Sequence, residues 1–224
     1  MSKKNNLMLR FASLLLVCVL VSTYALCGLL AKYATSGSSG DDARVAKFEK
    51  VDVNETGNFT TVDGKNVFYI IPGTTLTKDV TIDFKASETA AYVFVEMTLT
   101  DNIGAWTRTP DADGDMYGLK IGGSDMLSFS VESGSDEWIY YTSESVGTNA
   151  TRYVYYKEVD VHGKIDDADF IADDGQIVVS PNITRTMIKN GNFNNLKIDI
   201  RAIAAQSSGF TDLADAWGSV RDDL

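Results

Sequence analysis

Cysteine is nearly missing from this chain of 224 residues: there are two, Cys18 and Cys27. Histidine occurs once, as His162, and proline three times. So few thiols and imidazoles exclude most zinc sites and the Cys/His nucleophilic constellations, and they rule out a disulfide-dependent miniprotein. Basic residues are also scarce, with 20 Lys+Arg against 31 Asp+Glu for a net charge of −11. A surface of that sign repels a phosphate backbone, so no nucleic-acid partner is expected. No GxGxxG or Walker loop stands between a strand and a helix, which leaves a nucleotide-binding α/β fold without support. What is present, 44% hydrophobic residues over this length, suffices for one substantial buried core.

Both cysteines lie in an uncharged stretch from Phe11 to Ala31, preceded by Lys3, Lys4 and Arg10. A basic start, an apolar middle and then small and polar residues is the layout of a secretory signal peptide. The stretch is also long enough to cross a bilayer core of about 30 Å as a helix, so an uncleaved anchor is the alternative. The expected division is a signal peptide over 1–31, a flexible Ser/Gly-rich linker over 32–43 and a domain over 44–224. A cut between Ala31 and Lys32 has the larger Leu29 three residues back, whereas a cut after Cys27 has Ala25 there. Cleavage at Ala31 removes three cations and leaves 17 against 31, or −14, together with no cysteine. A cysteine-free exported domain must rest on core burial, which favours a bacterial surface. The Asn-x-Ser/Thr sequons at Asn54, Asn58, Asn149 and Asn182 then carry no glycan signal.

Beyond the linker the hydrophobic pattern has period two. Ala91, Val93, Val95, Met97 and Leu99 share one face, and Tyr92, Phe94, Glu96, Thr98 and Thr100 share the other, which reads as a core strand with a mixed outer face. Val80, Ile82 and Phe84, and likewise Leu127, Phe129 and Val131, alternate with polar residues as half-buried strands. Further strands are expected at 67–71, 137–142, 152–161, 176–180 and 196–204. Turns are marked by Asp63-Gly64, Pro72-Gly73, Gly122-Gly123, Ser133-Gly134, Asp174-Gly175 and Asn190-Gly191. The expected class is all-β, a two-sheet sandwich. Phe210, Leu213, Ala214, Trp217 and Val220 fall at helical spacing after Thr211, so a short C-terminal helix over about 210–220, with Thr211 as its N-cap, closes the chain. The acidic stretch 166–174, with Phe170 and Ile171 embedded, is expected as a loop or short helix.

Several segments, in order, carry a family resemblance. They are Leu29-Leu30-Ala31-Lys32-Tyr33-Ala34-Thr35, Ala43-Arg44-Val45-Ala46-Lys47-Phe48, and Ile71-Pro72-Gly73-Thr74-Thr75-Leu76-Thr77-Lys78-Asp79. Ala91-Tyr92-Val93-Phe94-Val95-Glu96, Ala202-Ile203-Ala204-Ala205-Gln206 and Ala216-Trp217 follow. In this order the chain resembles the secreted TasA/camelysin family, whose leader is processed by the SipW type of signal peptidase. The resemblance implies cleavage near Ala31, a jelly-roll-like sandwich, and a noncatalytic extracellular matrix or cell-surface role in a Gram-positive biofilm, where the chain can form fibres. Partners would be further copies of itself or another matrix protein, with the membrane involved only through the leader before cleavage.

The residues offer a physical counterpart. The arm over 44–54 carries Val45, Val51 and Val53 on one parity and Ala46 and Phe48 on the other, with a switch near Glu49-Lys50 that suggests a bulge or two docking faces. Such an arm either serves as the first strand of its own sandwich or fills a neighbour's groove. Head-to-tail donation of that kind does not close and so builds filaments.

Camelysin-like members have been classed as metalloproteases, but a helical HExxH needs two histidines and this chain has only His162, which reads as structural or solvent-facing. No catalytic residue and no cofactor is assigned. Asp111, Asp113 and Asp115 place three carboxylates beside Gly114 and are weak calcium candidates; Met116 and Gly122 stand where an EF-hand loop needs Gly and Glu, and a solvated acidic turn is the competing reading. Trp138, Tyr140, Tyr141, Tyr153, Tyr155 and Tyr156 form an aromatic group whose alternate members enter the core. Any left outside could stack on sugar rings, so a surface carbohydrate-binding or adhesion module is the second functional reading.

Overall fold

The computed structural model describes residues 50–62, 65–85, 88–111, 114–134 and 137–221, all within one compact unit, Ser39–Leu224. The leader, its cleavage site at Ala31 and Lys32, the linker, and Val45, Ala46 and Phe48 of the arm lie outside the described residues.

The chain is an antiparallel two-sheet β-sandwich closed by a short C-terminal helix, as the period-two pattern requires. The first sheet runs in the order β1 (Val51–Gly57), β4 (Thr75–Phe84), β12 (Gln176–Val179), β8 (Ser124–Val131), β7 (Asp115–Ile121) and β6 (Trp106–Thr109). β11 (Ile165–Asp169) also pairs with β4, on the flank opposite β1, so that Phe84 faces both Val51 and Ile165. The second sheet runs β13 (Lys197–Gln206), β5 (Ala91–Thr100), β10 (Ala150–Val159), β9 (Ile139–Gly147). β2 (Thr60–Val62) and β3 (Lys65–Val67) form a separate hairpin. The chain crosses between sheets from β4 to β5, back to β6, over to β9, back to β11 and over again to β13, so neither sheet is contiguous in sequence.

Alternation decides what enters the core. In β4, Leu76, Val80, Ile82 and Phe84 are buried, and β8 does the same with Leu127, Phe129 and Val131. Each such side chain contributes about 1.5–3 kcal/mol of transfer free energy. Gly122 and Gly123, both at positive φ, close the two-residue hairpin between β7 and β8. At the crossover from β5 to β6 the buried Asp101 carboxylate accepts from the backbone N–H groups of Ile103, Gly104 and Ala105, so one side chain satisfies three loop donors.

Four expectations are corrected. The mixed outer face of β5 is more covered than expected: Phe94 is buried there under α3 (Leu213–Val220), and Glu96 is buried against Arg152, 3.0 Å away. Phe94, Val154 and Ala205 meet Ala216, Trp217 and Val220 in a second, smaller core, with the Phe94 and Trp217 ring centroids 5.2 Å apart. That helix is capped by Asp212 rather than Thr211, the Asp212 carboxylate accepting from the Asp215 N–H at 3.0 Å. The ladder expected over 67–71 stops at Val67, although Phe68 and Ile70 still pack inward while Tyr69 and Ile71 stay exposed.

The acidic stretch 166–174, expected as a loop or short helix, divides instead: 166–169 complete β11, and its end is a short helical turn. Phe170 is wedged between the sheet's neighbours, its N–H donating to Val80 O at 2.8 Å and its carbonyl accepting from the Glu132 N–H at 3.0 Å. A single turn, α1 (Ala172–Gly175), then carries Asp173, Asp174 and Gly175 at φ of 56°, 55° and 74°. β6, β7 and α2 (Arg185–Lys189) went unread, because Gly118, Lys120 and short lengths break the pattern.

A Cβ at Gly175 would stand 2.3 Å from the backbone of Asp79, in a conformation that L side chains already resist. G175A is therefore expected to lose about 2 kcal/mol or more in urea unfolding. G134A, with nothing within 4 Å of its added methyl, should stay within about 0.5 kcal/mol of the parent.

Candidate functional site

The seam between β1 and β4 is where the expected assembly arm meets the domain. Pairing runs unbroken from Val51↔Phe84 to Gly57↔Lys78, without a register shift. Val51 is buried and Val53 half-buried against the core, so the parity expected for Val51 and Val53 is the inward one. In this chain the strand lies on its own β4. Its other flank pairs with no strand among the described residues, which leaves β1 at the edge of the sheet.

Polar contacts fix the register along both faces. On the outer face Asn54 Nδ2 donates to Asp83 Oδ2 at 2.7 Å, and Asp83 Oδ1 accepts from the Asp167 N–H at 2.8 Å, so one carboxylate ties both flanks of β4. Thr56 Oγ1 donates to Asp79 Oδ2 at 3.3 Å. On the inner parity Lys78, 3% exposed, sends Nζ to Glu55 Oε1 at 2.5 Å. Asn58 ends the pairing: its Oδ1 accepts from the Thr77 N–H at 2.7 Å and its N–H donates to Thr77 O at 3.2 Å. Two of the sequon asparagines, Asn54 and Asn58, thus have structural partners. The arm was read from its apolar residues, Val45, Ala46, Phe48, Val51 and Val53. Lys78 and Glu55 were missed, although period two along β4 places Lys78 on the same face as Leu76 and Val80.

Of the calcium candidates only Asp111 and Asp115 are among the described residues. Asp111 is exposed, Asp113 lies outside the described residues, and Asp115 is buried with its carboxylate already engaged. Arg108 donates to it in a fork, Nε at 2.8 Å and Nη2 at 2.9 Å, and the Tyr155 hydroxyl donates at 2.6 Å. Asp115 looks inward because it pairs with Val131 on the core parity of β7, its N–H donating to Ser133 Oγ at 2.8 Å. Among the described residues no group of three or more His, Cys, Asp or Glu side chains could hold a metal ion. His162 sits exposed in a turn at φ 62°.

Asp115 instead anchors a clamp between the sheets. The Tyr155 and Tyr117 hydroxyls lie 2.6 Å apart, and the Arg108 guanidinium stacks 3.5 Å from the centre of the Tyr140 ring. β6 and β7 of one sheet are thereby joined to β9 and β10 of the other. Burial raises the pKa of both tyrosines, and the neighbouring carboxylate raises it further, so both hydroxyls keep their protons and donate.

The same packing sorts the aromatic group. Trp138, Tyr153 and Tyr155 are buried in the main core, and Tyr141 and Tyr156 lie half-buried with Tyr92 beside α3. Tyr156 meets Tyr92 and Tyr141 with interplanar angles of 70° and 86°, so these three rings do not form a flat platform.

With this geometry established, comparison with known proteins adds no relative: no family model, no curated protein and no solved structure matches the chain.

Two outcomes are expected. Removing the hydroxyl in Y155F should cost about 1–2 kcal/mol in denaturant unfolding. D115A, which leaves Arg108 without its carboxylate, should cost about 3 kcal/mol or more; equal, small effects would mean that the clamp is not coupled.

The second outcome concerns pH. Partial burial and then the neighbouring carboxylates Glu137, Asp169 and Asp173 raise the pKa of Glu132, while burial and then Asp79, Asp167, Asp174 and Glu137 raise that of Asp169. A carboxyl with a raised folded pKa binds its proton more tightly when folded. Its contribution therefore grows as pH falls into the window between the unfolded and folded values, and is lost as pH rises through the folded value. Melting temperature measured from about pH 7 down to about pH 5 should rise, and E132Q should flatten that rise.

Proposed function

We propose that this chain is a secreted, noncatalytic extracellular matrix or cell-surface protein of a bacterium, and that its subunits assemble by donation of the N-terminal strand. The observation that supports the reading is the placement of β1. It is the first described strand, it stands at the edge of the first sheet, and it fills its groove with alternate side chains. Every copy carries the same strand and the same groove, so exchange between copies keeps each contact and costs little beyond association. Because the donor strand and the acceptor groove are different surfaces, such a contact does not close, and it propagates into a filament. The apolar leader and the resemblance of the chain to the TasA/camelysin proteins accord with export and with the surface of a biofilm.

Light scattering and negative-stain microscopy on the chain beginning at Lys32 are expected to show concentration-dependent filaments. A chain beginning at Thr56, which lacks Val51, Val53 and Glu55, is expected to stay monomeric and to gain thermal stability when a peptide of residues 44–58 is added. A longer chain that stays monomeric at every concentration and pH would refute strand donation. It would turn attention to retention on insoluble polysaccharide, the outcome that an adhesion module requires.

A further inference from the structure

The groove beside β4 contains a buried charge. Lys78 stands on the inward parity between Leu76 and Val80, and the described carboxylate that meets it is Glu55, delivered by β1. An ammonium removed from water without a partner costs several kcal/mol, so an occupant that brings an aliphatic side chain to this point forfeits much of what its burial gains. Two further features narrow the choice. Gly57 lies at φ 155°, and a Cβ there would stand 2.1 Å from Thr77 O, so the occupant needs glycine two residues beyond its acid. Asn58 then satisfies the Thr77 backbone on both its N–H and its carbonyl.

We propose that Lys78 is the specificity determinant of the strand groove. It admits a β1 strand from a second copy of this chain, in the one register that sets Glu55 against it, and disfavours other strands. The inference rests on the strand-donation reading and adds the partner and its recognition sequence, Val-x-Val-x-Glu-x-Gly-Asn over 51–58. A slip of one residue turns both valines to solvent. A slip of two preserves their parity but draws Glu55 away from Lys78 and sets a residue with a Cβ where only glycine fits.

Complementary charge reversal tests this in the chain beginning at Lys32, which retains every described residue. E55K and K78E, each alone, set like charges against one another and are expected to lose assembly by about a hundredfold or more, read by light scattering and microscopy. Mixed in equal amounts they are expected to assemble, because each copy's strand then fits the other copy's groove and not its own. Energy transfer between two labels should show that the copies alternate. The double variant E55K/K78E should assemble with itself and exclude the parent chain. K78M, an apolar replacement that keeps the fold, should accept parent and E55L strands alike. If E55K or K78E assembles alone as well as the parent, or if the mixture does no better than either while parent and K78M assemble, the inference is overturned and strand donation stands. A parent chain that forms no assembly removes the strand-donation reading and this inference together.

Discussion

The buried carboxylate of Asp115 is the constraint around which the two sheets are arranged. Apolar faces attract one another without direction, so contact among Leu119, Phe129, Val95 and Met97 alone would tolerate small slides of one sheet over the other. A charge enclosed between the sheets does not tolerate them. Asp115 must keep the Arg108 fork and the Tyr155 hydroxyl, and Tyr155 must keep Tyr117, so three strands, β6, β7 and β10, are held at defined positions. Tyr140 covers the guanidinium from the second sheet and shields the pair further. The hydrophobic effect drives the sheets together, and this network determines which residues meet.

The second ion pair has the opposite relation to the fold. Asp115 and Arg108 stand seven positions apart on a tight β6–β7 unit, so their contact forms once that unit forms. Lys78 stands buried on the inward parity of β4, whereas Glu55 arrives on an edge strand. The first pair locks an interior, and the second joins an edge strand to that interior. That difference underlies the proposal that β1 can be exchanged while the rest of the sandwich stays intact, and that the place it leaves is selective about what returns.

The helix α3 adds a third element. By covering Phe94, Val154 and Ala205 it buries the outer face of β5 and β10, which turns a two-layer sandwich into three layers over part of its area. It also occupies the surface on which exterior aromatics would otherwise be displayed, leaving Tyr92, Tyr141 and Tyr156 half-covered and edge-to-face. The edge strand β1, on which the assembly proposal rests, lies in the other sheet.

Alternation along Val80, Ile82 and Phe84 and along Leu127, Phe129 and Val131 was legible because period two is a local property of an extended chain, and the sandwich class followed from it. The C-terminal helix was legible for the same reason, through the spacing of Leu213, Trp217 and Val220. Three things were not. Strand order, the burial of Phe94 and Glu96, and the partners of Asp115 and Lys78 depend on segments far apart in the chain. A carboxylate beside Gly114 reads as a solvated turn until a tyrosine 40 positions away is brought to it. The sequence by itself determined which residues alternate and hence the class of fold. Only the tertiary structure decided which polar groups lose water, because that depends on what covers them and not on their neighbours in the chain.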